Sequence, residues 1–408
     1  MTLPFAPIAI VGRACVLPGA LTPADFANLA LEGRDAITPA PDDRWGVARH
    51  RVMGHGDDRA WSDRGGYVTG FEDVFDATGF GLDAGAVRAL DPLFQWTLHV
   101  ARACLRDGGL DARAARTGAI LGNLSFPTAA MARYAEHVWL DGTPVAPRTL
   151  APDARNRFMS GLPALLLGPA LGLTGPRLCL DAACASSLYA ISLACDALHR
   201  GEADVMLAGA VNCADDLFIH VGFCALSAMS RSGRSRPFHA EADGLVPAEG
   251  CAMVALMRLD DALAKGHRVL GVVRGVGLSN DGRARGLLAP SEHGQVRAMR
   301  AAWARAGVSP DSAQYVECHA TGTPVGDATE LRSLREVFGA RPLPIGSFKA
   351  NVGHLVTVAG TAGLLKVLTG FEADALPPTP HVDKALEGLD GRGLRVVHAR
   401  EPWPRGDA

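Results

Sequence analysis

The 408-residue sequence predicts an α/β fold arranged as one compact unit with two similar halves. Three observations carry that expectation. Strand-like and helix-like segments alternate along the chain. The strand-like runs, such as Val205–Val211 and Cys251–Arg258, are apolar rather than alternating, which requires sheets covered on both faces by helices. The order strand–helix–strand also recurs on either side of a seam near residues 258–268, without a Pro/Gly-rich linker of domain-joining length. The expected halves are therefore 1–257 and 258–408.

The elements follow in order. Ile8–Gly12 reads as a buried strand closing in a glycine turn, and Pro23–Leu31 as a helix. Residues 39–70, rich in Arg, Asp, Gly and Pro, read as a long surface excursion. Asp91-Pro92 opens a helix with Asp as N-cap and Pro at its first position. Leu93, Trp96, Val100 and Cys104 line one face of it, a packing stripe, and Asp107-Gly108-Gly109 ends it. Thr117–Leu121 is a strand, followed by an irregular stretch to about residue 157. Arg177–Leu180 reads as a short buried strand. Leu188, Ile191, Cys195 and Leu198 then recur at helical spacing until Gly201. Val269–Val276 is a further strand, Gly294–Ala306 a helix, Tyr315–Cys318 a short strand and Gly353–Thr369 a helix rich in small residues.

Composition narrows the function classes. With 48% hydrophobic and 20% charged residues, the chain can bury a large core without disulfides. A net charge of -3 argues against a nucleic-acid surface, and no block of like charge marks a tail or a membrane-seeking helix. The nine cysteines are odd in number, form no CxxC and lie mostly in apolar runs, the usage of a reducing compartment rather than a disulfide or zinc framework. Met1–Pro7 has no signal-like character. The longest apolar stretch, Leu162–Leu173, is broken by Gly168 and Pro169 and is too short to span a bilayer. A cytoplasmic location is expected.

Three segments carry chemistry. Cys184, in Asp181–Leu188, lies where a strand hands over to a helix. Unpaired backbone N–H groups and the positive end of the helix dipole there favour a nucleophilic thiolate. Most cysteines of this kind of chain are small buried hydrophobes, and this setting brings the two readings of Cys184 level. The second segment, Glu317–Asp327, puts His319 after a buried strand at the mouth of a Gly/Thr-rich loop. The third, Ser347–His354, sets Lys349 and His354 five positions apart just before a helix. Either histidine alone reads more readily as structural. One cysteine and two histidines in loops at strand ends form a set suited to acyl transfer.

These segments resemble the three motifs of the β-ketoacyl synthases, the condensing enzymes of fatty acid and polyketide synthesis, which have the thiolase fold. The cysteine motif is Asp181–Leu188, the first histidine motif His319–Asp327, and the lysine/histidine motif Lys349–His354. The likeness extends to Ile8–Gly12, the Asp91-Pro92 helix, Phe238–Gly250 and Ser279–Gly282, so it covers nearly the whole chain. Ala320 and Ala350 are small departures from the usual Gly and Ser. Gly122–Thr128, Asp91–Trp96 and Phe218–Phe223 look most like the synthase domains of polyunsaturated-fatty-acid synthases and related iterative polyketide synthases.

The resemblance implies a thiolase-like fold of two βαβαβ halves with sheets sandwiched between helices, the first half carrying the cysteine and the second the histidines and lysine. It implies that Cys184 takes an acyl chain from a phosphopantetheine thioester on an acyl carrier protein. A malonyl-type carrier thioester then loses CO₂ and attacks the acyl-cysteine. His319 and His354 would donate hydrogen bonds to the developing negative charge, and Lys349 would hold protonation and orientation and lower the Cys184 pKa. Thr321 and Thr323 would hydrogen-bond the pantetheine arm. A homodimer or a synthase-like partner domain is implied as well. No dinucleotide loop, P-loop or metal-ligand cluster is seen, so neither an organic cofactor nor a metal is expected. The family continues into a strand and a Gly-Phe-Gly-Gly-type loop that supply one oxyanion N–H, and the sequence ending at Ala408 shows neither. A catalytically silent dimerisation or scaffold domain of a megasynthase, or a non-condensing acyltransferase, are the alternative readings.

Overall fold

A computed structural model describes residues 5–42, 44–45, 47–56, 58–124, 154–157, 161–213, 217–283, 289–389 and 393–403. Ser125–Thr128, most of the irregular stretch to residue 157 and Pro404–Ala408 lie outside the described residues.

Strand β1 (Ile8–Val16) is buried along its whole length and does not stop at Gly12 as its sequence suggests. A bulge between Ile10 and Gly12 carries the chain onward and reverses which parity faces which side. Before the bulge Ala9 and Val11 enter one core and Ile8 and Ile10 the other; beyond it Ala14 and Val16 enter the first, Cys15 and Leu17 the second. Gly12 is required there, because a Cβ would stand 2.5 Å from the Cys104 carbonyl oxygen. Helix α1 (Pro23–Leu31) begins in a capping box between Thr22 and Asp25, with Pro23 in its first turn. Helix α2 (Pro92–Asp107) starts from Asp91, whose carboxylate accepts the Leu93 N–H at 3.0 Å. Residues 39–70 are more than a surface excursion. Trp45, Val47, Val52, Ala60 and Tyr67 build a small core against Leu217 and Val221, because an apolar minority among the polar residues finds a partner helix.

Strand β2 (Thr117–Asn123), helix α3 (Leu162–Leu171), strand β3 (Arg177–Leu180), helix α4 (Ser186–His199) and strand β4 (Val205–Asn212) follow. Next come helix α5 (Leu217–Ala225), strand β5 (Gly250–Arg258) and strand β6 (Gly271–Val273). Among the described residues the larger sheet runs β3-β2-β4-β5-β1-β6. The pairs β3/β2 and β2/β4 are parallel; the rest are antiparallel. Strand β3 is therefore an edge strand, and Leu178 is exposed rather than buried as its apolar sequence suggests. Strand β6, drawn from the run Val269–Val276, is shorter than expected and joins this first sheet by pairing with β1, although it lies beyond residue 258.

Helix α6 (Glu292–Ala306), strand β7 (Val316–Glu317), helix α7 (Pro324–Phe338), strand β8 (Leu343–Gly346), helix α8 (Ala359–Ala373) and strand β9 (Leu394–Val396) are the main elements that follow. A second, parallel sheet runs β9-β8-β7. Helix α8 starts six residues later than the sequence predicts, because Gly353 and Val356 take positive φ (84° and 48°) and leave the helical path. Helices α2 and α3 cover one face of the large sheet, and α1, α4 and α8 the other. Helix α8 also meets the second sheet, where Gly363 lies against Glu317. Helices α6 and α7 pack on that sheet through Trp303, Leu334 and Phe338. The result is a helix–sheet–helix–sheet–helix stack, with the ends of β3, β7 and β8 meeting around α8.

Candidate active site

Cys184 lies in a single 3₁₀ turn, Ala183–Ala185, between β3 and α4. The preceding residue, Ala183, has φ 48°, a strained value that turns the chain sharply and lifts the thiol out of the strand line. The Ser186 hydroxyl closes this elbow, donating to the Ala183 carbonyl at 2.7 Å and accepting the Ala182 N–H at 2.8 Å. Gly122 on β2 makes room for it, since a Cβ there would lie 2.6 Å from the Ser186 Cβ.

His354 Nε2 stands 3.0 Å from Cys184 Sγ. The other ring nitrogen, Nδ1, accepts the backbone N–H of Val356 at 3.2 Å. A backbone N–H can only donate, so Nδ1 holds a lone pair and the neutral ring carries its proton on Nε2. His354 therefore faces the sulfur as a donor. Its backbone is clamped on both sides, N–H to the Val246 carbonyl at 2.6 Å and carbonyl to the Ala248 N–H at 2.9 Å. Burial, reinforced by the Lys349 charge and by His319, holds its pKa well below the usual histidine range.

The His319 ring is set almost perpendicular to His354, with centroids 5.5 Å apart. Burial and the Lys349 charge also push His319 toward the neutral ring, and because the ring opens onto the cavity, burial acts on it less fully than on His354. Its loop is held by Glu330 of α7, whose two carboxylate oxygens accept the His319 and Ala320 N–H groups, each at 2.7 Å. Lys349 opens the short helical turn Lys349–Val352 and is buried. Burial lowers its pKa, opposed first by Glu317 and then by Glu330.

Cys184, His319 and Lys349 share a cavity of about 270 Å³ with Glu317, Cys318, Phe348 and the small-residue face of α8. The sequence places Cys184 where a helix terminus favours the thiolate, but burial wins and its pKa is raised; the Lys349 charge offsets this only in part. The helix-end effect fades within one turn, whereas desolvation acts on the whole sulfur. Cys318, the neighbour of His319, gives its thiol to the Val316 carbonyl at 3.6 Å and is pushed far up by burial, so it is poorly suited to exchange protons.

Thr321 and Thr323 are not among the residues lining that cavity. They sit on the adjoining loop with their hydroxyls 3.0 Å apart. Asp327 organises the loop, accepting the N–H groups of Thr321 (3.0 Å), Gly322 (3.3 Å) and Phe238 (2.8 Å). Gly322, at φ 78°, lets the loop press against Arg236 and Gly244. Asp327 and Glu330 were not singled out from the sequence. The available signal was two carboxylates three positions apart in the first turns of a Pro-started helix, which face one side and the preceding loop. Among the described residues, no group of three or more His, Cys, Asp or Glu side chains is arranged to hold a metal ion, and no helix is long and apolar enough to cross a membrane.

Comparison with known proteins matches the family model for the N-terminal domain of β-ketoacyl synthase over residues 6–262 and that for its C-terminal domain over residues 270–383. The chain is 36% identical, over 98% of its length, to a phenolphthiocerol/phthiocerol polyketide synthase protein of Mycobacterium tuberculosis, and spans 22% of that protein. It is 35% identical to an erythronolide synthase of Saccharopolyspora erythraea over 98% of its length, and spans 11% of that one. Among solved structures, a PfaC keto synthase–chain length factor superposes with a TM-score of 0.90 at 36% identity, covering 98% of this chain and 45% of that one. The ketosynthase from module 6 of the bacillaene synthase of Bacillus subtilis 168 superposes with a TM-score of 0.84 at 29% identity, covering 98% and 68%.

Proposed function

This chain belongs to the β-ketoacyl synthase family, with the thiolase-like fold of a ketosynthase, and we propose that it extends acyl chains by decarboxylative condensation within a larger polyketide-forming protein. As a ketosynthase it is a condensing acyltransferase. The observation that carries the residue assignment is the donor geometry of His354, 3.0 Å from the Cys184 sulfur.

In the first stage the Cys184 thiolate attacks the carbonyl of an acyl thioester on a carrier protein. The carbon–sulfur bond to the pantetheine breaks, and the pantetheine thiol takes up a proton. In the second stage a malonyl-type thioester enters. Its carboxylate leaves as CO₂, and the electron pair of that carbon–carbon bond passes to the thioester as an enolate. Nε2 of His354, which carries its proton toward the Cys184 sulfur, stabilises the enolate oxygen, and neutral His319 supplies the second donor. The enolate carbon then bonds to the acyl carbon, and Cys184 leaves as thiolate, stabilised by the Lys349 charge. The backbone N–H of Cys184 supplies a donor for the acyl oxygen in this reading. Thr321 and Thr323 take the pantetheine arm where the loop adjoins the cavity. The partners are acyl and malonyl-type carrier proteins and a second copy of the chain, in the cytoplasm, with no resident cofactor. We read residues 1–257 and 258–408 as the two thiolase-like halves.

Intact-mass analysis after incubation with an acyl-carrier thioester tests this directly. One acyl adduct is expected on the wild type and none on Cys184→Ala, with condensation lost in the variant. Product formation undiminished in Cys184→Ala would overturn the assignment.

A further inference from the structure

Behind the cavity wall lies an ion pair that the reaction above does not use. Lys366 of α8 is fully buried, and its ammonium stands 2.9 Å from Glu317 Oε2 on β7. Tyr315 donates its hydroxyl to the same oxygen at 2.6 Å, and the Lys366 ammonium lies 5.7 Å from the centre of the Tyr315 ring. The other carboxylate oxygen, Oε1, accepts the backbone N–H of Phe348 at 2.5 Å. Phe348 directly precedes Lys349. Glu317 also lines the cavity that holds Cys184, His319 and Lys349.

Burying a lysine and a glutamate costs several kcal/mol per ion unless geometry and additional hydrogen bonds offset it. Well-packed apolar residues often replace such a pair without loss of stability, so this pair calls for a role beyond holding β7 to α8. We propose that Glu317 and Lys366 are positioning residues for the condensation: Lys366 and Tyr315 pin the Glu317 carboxylate against the Phe348 N–H, and from there its negative charge keeps the Lys349 ammonium charged beside Cys184. The charged and titratable groups around Lys349 are Glu317 and Cys318 at the end of β7, His319 in the following loop, Glu330 on α7, Cys184 before α4 and His354 beyond the Lys349 turn. Of these, Glu317 is the strongest favouring the ammonium. Without it Lys349 loses its charge more readily, the Cys184 thiolate loses its cationic neighbour, and the thiol becomes harder to ionise.

The inference rests on the reading of Cys184 as nucleophile, but its test does not need condensation. The rate of Cys184 alkylation by iodoacetamide is followed against pH in the full chain, with the labelled residue identified by peptide mass mapping. Glu317→Gln leaves a buried lysine without its counterion and is expected to unfold easily, so the main variant is the double Glu317→Gln/Lys366→Met, which removes both charges at similar volume. Expected is a double variant with a melting temperature near that of the wild type but an alkylation profile moved to higher pH, with the rate at neutral pH down about tenfold, one unit of thiol pKa. A profile superimposable on the wild type would overturn the proposal. If the double variant does not fold, Tyr315→Phe, which removes one hydrogen bond from the same carboxylate oxygen, is measured in the same way. A smaller shift in the same direction supports the proposal and an unchanged profile rejects it. A shifted profile in a protein that forms no condensation product would leave this inference standing and remove the functional reading instead.

Discussion

At Cys184 two effects oppose each other. Burial holds the thiol up and the Lys349 charge pulls it down, with burial the larger. At neutral pH the protein therefore sits on the rising limb of its thiolate titration, and alkylation of Cys184 is expected to rise with pH. Lys349→Met removes the offsetting charge, so its profile is expected to lie at higher pH than the wild type, with slower labelling at pH 7; a profile unmoved or moved to lower pH would contradict that sign. His354 has a different job. His354→Ala removes the Nε2 donor, and by the general cost of one oxyanion donor, decarboxylation of malonyl-carrier thioester is expected to fall about 10²–10³-fold. His354→Asn, which can keep an N–H donor near that position, is expected to recover part of the loss. Equal losses in the two variants would mean that the donor is not what matters. Which residue types to suspect was legible in the sequence, because a cysteine at a strand–helix joint and histidines at strand ends are local patterns. The His354 tautomer was not legible, since it depends on one N–H of Val356 whose direction is set by a positive-φ turn.

Each element owes its position to a few close contacts. Gly12 lets α2 sit against β1 at the bulge, and Gly12→Val is expected to destabilise the fold by about 1–3 kcal/mol, because the backbone carbonyl of Cys104 cannot move without its helix. A lowered urea midpoint with unchanged slope is the expected readout. Helix α7 acts on the site through its first turns, where Asp327 and Glu330 gather five backbone N–H groups from the His319 loop and from Phe238. Glu330→Gln turns one of its two acceptors into a donor facing an N–H. That variant is expected to slow decarboxylation about tenfold and, because Glu330 also supports the Lys349 ammonium, to move Cys184 labelling toward higher pH. Element type was readable along most of the chain because capping residues and apolar periodicity are written locally, as at Thr22-Pro23 and Asp91-Pro92. Element ends were less so. β1 runs through its glycine and α8 begins late, and both depend on backbone turns that neighbouring elements make worthwhile.

Across the whole molecule the site forms where two sheets meet around α8. Among the described residues strand β3 leaves the large sheet with an open edge, and Leu178 on it and Leu165 on the adjoining α3 are exposed. An unpaired strand edge flanked by leucines suits pairing with a second copy. Leu178→Glu is expected to break the proposed pairing of two copies, lowering the mass in light scattering coupled to size-exclusion chromatography with Cys184 labelling retained; an unchanged mass would remove β3 from the interface. Residue type and short-range spacing were enough for the fold class, the order of most elements and the candidate set Cys184, His319, Lys349 and His354. Only the tertiary structure decided that His354 meets a sulfur 170 positions away, that β6 joins the first sheet, and that Glu317 and Lys366 stand behind Lys349. It also decided that Cys184 is held up rather than down. These outcomes are sums of burial and charge over groups remote in the chain, and no local window contains their terms.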